Sequence, residues 1–86
     1  MPVVSRFQDI RIAMYYDDLG PSQLHAEYAG CKAIVDIANC CVIKGALPSR
    51  ELKLVLAWVE LHKDELMHNW ELALDGEELQ QVKPLA

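Results

Sequence analysis

No apolar run in this 86-residue chain approaches the roughly 18 residues that a membrane-spanning helix needs. The start, MPVVSRFQD, is too poor in apolar residues and charged too early to read as a secretory leader. Cysteine is scarce: Cys31, Cys40 and Cys41 show no C-x-x-C spacing, and an odd number cannot close into intramolecular pairs. Free thiols in a reducing compartment fit that pattern, so the expected location is cytoplasmic. Gly and Pro number four each, which excludes fibrous and disordered classes. Positive charge is also short, eight Lys and Arg against thirteen Asp and Glu for a formal charge of −5. Nucleic-acid affinity comes mainly from neutralised phosphates, so this balance is unfavourable to it. Arg50 and Lys53, with Lys44 not far away in sequence, are the candidate basic patch and read as a solvated face.

The motifs of established chemistry are missing too. There is no phosphate-cradling glycine loop, nucleophile elbow or triad pattern. His62 and His68 stand six apart and do not share a helix face as an i,i+4 zinc pair does. No metal and no cofactor are expected.

What is present is periodicity. Ile10, Ile12, Met14 and Tyr16 alternate with Arg11, Ala13 and Tyr15, the period-two mark of a half-buried strand at about 9–16. Asp17 through Pro21 supply turn chemistry. Alternation resumes at about 24–29 and, after the Ala29–Gly30 connection, at about 32–37, with a short strand at about 41–44. From Pro48 the period becomes helical: Leu52, Val55, Val59, Leu66, Trp70 and Ala73 form a stripe that Asp75–Gly76 ends. An unbroken helix over 49–75 would run about 40 Å, longer than so small a domain is wide, which favours a bend or break near His62 to Asp64. Residues 79–83 suit a last strand, confined to an edge by Pro84. The expected architecture is therefore one α+β domain over 1–86. It has a small antiparallel meander of three or four strands, a C-terminal edge strand as an addition, and one long or kinked helix on one face.

Ionisable side chains gather where the first two strands meet. His25 and Glu27 are two apart on an extended segment and so project from one face. Asp17 and Asp18 end the preceding strand, and Arg50 is a candidate to steady a phosphate oxygen. His25, Glu27, Asp17 and Arg50 are thus the candidate catalytic set, and Tyr15, Asp17, Asp18, His25 and Glu27 the candidate binding set. The same residues also suit a solvated strand with no chemistry.

The strings MPVVSRF, MYYDD, HAEYAG, VDI, GALPSRELKLVLAWVELHKDEL, NWELA and GEELQQVKPL run in order through the whole chain. They resemble the bacterial family called domain of unknown function 4160. The resemblance implies a small cytosolic protein, often encoded beside another small protein in a layout suggestive of toxin–antitoxin pairs. Members usually carry Pro-Pro-His-Phe-His-Ala-Glu-Tyr where this chain has Pro21, Ser22, Gln23, Leu24, His25, Ala26, Glu27 and Tyr28. A site resting on two alternating histidines would lose one of them to Gln23 here.

Two functional expectations follow. One is an interaction module that forms a homodimer or binds a small partner protein through an open sheet face or edge, with membership of a toxin–antitoxin-like pair as a special case. The other is a small ribonuclease or toxin-type enzyme with His25 as general acid or base. No membrane association is expected.

Overall fold

A computed structural model describes residues 3–15 and 20–85. Five strands in chain order, β1 (Val3–Phe7), β2 (Ile10–Ala13), β3 (Gln23–Tyr28), β4 (Cys31–Asp36) and β5 (Cys41–Gly45), are followed by α1 (Ser49–Leu61) and α2 (Lys63–Leu74). The strands form one antiparallel meander in the order β1-β2-β3-β4-β5.

This corrects the expected three or four strands on one long or kinked helix. The additional strand is β1, and its period is hidden by a bulge: Val3 pairs with Ala13 and Ser5 with Ile12, leaving Val4 as the extra residue. Val4 and Ser5 are consequently buried in succession, which breaks the alternation that marks a strand. The turn that follows lacks a glycine signal as well. Gln8 and Asp9 both take positive φ, 51° and 62°, as a two-residue type I′ hairpin requires, although neither is glycine. The β3–β4 hairpin uses the same geometry with Ala29 and Gly30.

The helical stripe is divided rather than continuous. His62, at φ −113° and ψ 24°, leaves the helical region between α1 and α2. At 1.5 Å per residue the two pieces run about 20 Å and 18 Å, so both fit a molecule whose extents are 33 × 25 × 22 Å. A straight helix over the same residues would overhang the sheet and leave part of its apolar stripe in water.

Nor do residues 79–83 form a strand. The segment after α2 is irregular and lies against β1, where Val82 N–H donates to the Val4 carbonyl (2.8 Å) and Gln81 Nε2 to the Val3 carbonyl (2.6 Å). It is pinned from the helices too. Asn69, almost fully buried, donates to the Gln80 carbonyl (2.8 Å) and accepts from the Gln80 N–H (2.9 Å). Trp58 Nε1 donates to the Lys83 carbonyl at 2.9 Å.

The helices cover one sheet face. Val4, Ile12, Leu24, Ala26, Ala33 and Val35 form a single core with Val55, Trp58, Val59, Leu66, Trp70 and Val82. Trp58 is completely buried, with Phe7 packed on its ring at 5.2 Å. Burial of this kind contributes about 25 cal/mol per Å² of apolar surface, so the helix-covered face holds most of the folding free energy.

Candidate functional site

Strand alternation sends every second residue to the other face, and register decides which of them become neighbours. Two rows cross that face. One runs Arg6, Arg11, Glu27, Lys32 over β1 to β4; the other runs Ala13, His25, Ile34, Lys44 over β2 to β5. Glu27 is the hinge of the first row: Arg11 Nη1 lies 3.2 Å from one of its carboxylate oxygens and Lys32 Nζ 3.9 Å from the other. Such half-solvated ion pairs contribute about 1 kcal/mol or less each, but they fix where the charges stand.

In the second row the His25 ring meets Tyr15 edge-to-face, centroids 4.5 Å apart at 85°. Both side chains are half-buried, as are Glu27 and Ile34. His25, Lys32, Ile34, Lys44 and Gly45 line a shallow cavity of about 220 Å³. Lys44 belongs to this group because of a second bulge. Val35 pairs with Val42 but Ile34 pairs with Lys44, so Ile43 is extra and is left about half exposed. Without the bulge, Ile43 would face His25 and Lys44 would point toward the helices. Gly45 completes the approach. Its φ is +79°, a Cβ there would overlap the Lys32 carbonyl oxygen, and the next N–H, that of Ala46, donates to the same oxygen at 3.0 Å.

The residues singled out from sequence are thus distributed unevenly. His25, Glu27 and Tyr15 share this face. Asp17 and Asp18 lie outside the described residues. Arg50 stands in the first turn of α1, its guanidinium 3.3 Å from the Glu51 carboxylate, and is not among the residues lining the His25 cavity. Lys53 is on α1 as well, so it and Arg50 do not join Lys44 in one patch along the strand rows. Gln23 pairs with Asp36 two residues before His25, on the same face. Arg11, Lys32 and Ile34 were invisible from sequence as members of the site, because only register makes them neighbours of His25 and Glu27.

Cysteine chemistry lies elsewhere. Cys31 and Cys41 are exposed, while the Cys40 thiol donates to the Leu56 carbonyl at 3.3 Å. Burial, helped by the Glu60 carboxylate, pushes the Cys40 thiol up from its ordinary pKa and keeps it protonated. Among the described residues no three His, Cys, Asp or Glu side chains gather as metal ligands. No helix among them is long and apolar enough to cross a membrane.

The family model for the domain of unknown function DUF4160 matches residues 9–71. The chain belongs to that family. No curated protein and no solved structure matches it. The DUF4160 match runs from the end of the first hairpin turn into α2 and contains the whole His25 cavity. β1 and the segment pinned by Asn69 fall outside it and pack on each other.

Proposed function

We propose that this chain is an interaction module whose cationic sheet face docks an acidic surface of a small partner protein. The observation that carries this reading is charge segregation on an acidic chain. Among the described residues, the helix-free face bears Arg6, Arg11, Lys32 and Lys44 against the carboxylates of Glu27 and Asp36. Residues 49–86, which make the helical side, carry eight acidic and four basic side chains. An acidic partner is drawn to the first surface and repelled by the second, which orients the encounter.

The face is favoured over the edge for a physical reason. β5 is an edge strand, and it carries a bulge and Lys44, the devices that discourage strand addition. A second copy of the chain is disfavoured as the occupant. Its acidic helical side against this cationic face would make a head-to-tail contact, which propagates unless its rotation closes a ring. Membership of a toxin–antitoxin-like pair is one setting for such a partner.

The test is capture of a partner from the native cell, followed by titration of the identified protein in rising salt. Tight binding to an acidic partner that weakens at least tenfold in Arg6→Glu/Arg11→Glu, with the circular dichroism spectrum unchanged, supports the reading. Binding indifferent to both salt and charge reversal overturns it, as does a strictly monomeric chain with no partner.

A second reading, a small ribonuclease, is favoured by one observation: His25 shares a cavity with two lysines able to hold a phosphate. It ranks lower because Glu27 is engaged by Arg11 and Lys32, and no carboxylate stands beside His25 among those lining residues. RNA cleavage that is equal in wild type and His25→Ala removes it.

A further inference from the structure

We propose that the cavity between β3, β4 and β5 binds a phosphate dianion, free or as the terminal group of a phosphomonoester. This goes beyond partner docking and does not rest on it. Side chains from three strands line it, His25, Lys32 and Lys44, together with Ile34 and Gly45, so the walls are largely apolar and the two ammonium groups stand at its rim on flexible stems. Lysine ammonium groups hold phosphate as point charges and need no planar fork geometry. Two of them with an imidazole beside them suit a doubly charged anion better than a single carboxylate.

Arg11 decides the local balance. It sits closer to the Glu27 carboxylate than Lys32 does, 3.2 Å against 3.9 Å, so Glu27 is neutralised chiefly from the other side and the Lys32 charge stays available to the cavity. Size sets the ligand class. About 220 Å³ is below the roughly 300–1,000 Å³ of sites that enclose a whole cofactor, so the cavity takes a group and leaves the rest of the molecule outside. The larger hollow of about 390 Å³ beside the first hairpin turn has Asp9 in its wall and places its cations on adjacent strands only.

The backbone supports a built site. Bulges recur beside functional positions because they re-aim a side chain, and this one turns Lys44 onto the His25 face at the cost of exposing Ile43. Gly45 then lets β5 close on β4 where any Cβ would collide with backbone. The Tyr15 ring, edge-on to His25, holds the imidazole from the β2 side.

Amide-resolved NMR titration of the full chain with inorganic phosphate, adenosine 5′-monophosphate and acetate tests this. Saturable shifts centred on Ile34, Lys44 and Gly45, with phosphate at least tenfold tighter than acetate, are expected. If adenosine monophosphate binds tighter than phosphate, the ligand is a phosphomonoester; equal affinity identifies free phosphate. Lys44→Met should weaken binding at least tenfold, and Lys53→Met on α1 should leave it unchanged. Arg6→Glu alone, a charge reversal on the docking face that leaves the Arg11–Glu27–Lys32 ion pairs intact, should leave the Lys44 and Gly45 shifts in place, so the two proposals fail separately. Phosphate no tighter than acetate, or full affinity in Lys44→Met, overturns the site.

Discussion

The two faces of the sheet are built from the same strands, residue by alternate residue, and share almost no chemistry. One carries Ile12, Leu24, Ala26, Ala33 and Val35 into a core closed by Trp58 and Trp70. The other carries Arg11, His25, Glu27, Lys32 and Lys44, half-buried or exposed. Stability is concentrated on the first face, where burial is complete, and the second is free to hold charges whose removal costs little. A protein this small has no separate scaffold for its site. The candidate site lies on the back of its own core.

The largest effect should come from emptying the covered face. Trp58→Ala removes a fully buried indole, its contact with Phe7 and its hydrogen bond to Lys83. The expected loss is about 3–5 kcal/mol, out of roughly 4–13 kcal/mol for a chain of this length at 0.05–0.15 per residue. Urea unfolding should show the midpoint falling by about a quarter or more, or no folded baseline at all. The matched change on the other face, Arg6→Glu/Arg11→Glu, should shift stability by about 1 kcal/mol or less. Equal damage from the two variants would break the division between faces.

Asn69→Ala is intermediate. It frees both backbone groups of Gln80 and unpins the final segment from α2. Leaving these groups without their protein partner at a part-buried contact costs about 1–2 kcal/mol. Hydrogen exchange sharpens the point: the Gln80 amide should lose its protection while amides in β3 and β4 keep theirs. Uniform loss across the sheet would show that the segment is part of one cooperative unit with the core.

How much of this could be read before the fold was known depends on which signals are local. The alternation in β3 and β4 and the turn at Gly30 are local, and the helical stripe from Leu52 to Ala73 is local too. β1 escaped because its bulge puts Val4 and Ser5 inside together and because Gln8–Asp9 makes a type I′ turn without glycine. A bend or break near His62 follows from helix length alone, although neither Gly nor Pro marks it and two separate helices stand where one long or kinked helix is expected. In the site, the shared face of His25 and Glu27 follows from their spacing alone. The companions Arg11, Lys32 and Lys44 do not, because register is a property of pairs of strands. For Lys44 even the face was unreadable, being set by one extra residue, Ile43.

The smallest expected effect lies on the charged face, at the turn leading into β5. Asn39 donates its side-chain amide (2.9 Å) and its backbone N–H (3.1 Å) to the two carboxylate oxygens of Asp36. These donors favour the charged form, the side-chain bond most, and hold the Asp36 carboxyl below its ordinary value. A carboxyl depressed in the folded state adds stability that is fully present above its unfolded value of roughly 3.9 and is lost as pH falls through the folded value. Asn39→Ala keeps the backbone donor and deletes the stronger side-chain one, so the Asp36 titration, followed by carboxyl carbon NMR, should move upward toward the ordinary range. Stability at neutral pH should fall by no more than about 1 kcal/mol, the scale of one partly solvated hydrogen bond. An unmoved titration would mean that the turn backbone alone sets this carboxylate. A loss as large as that of Asn69→Ala would mean that the charged face bears more of the fold than its exposure suggests.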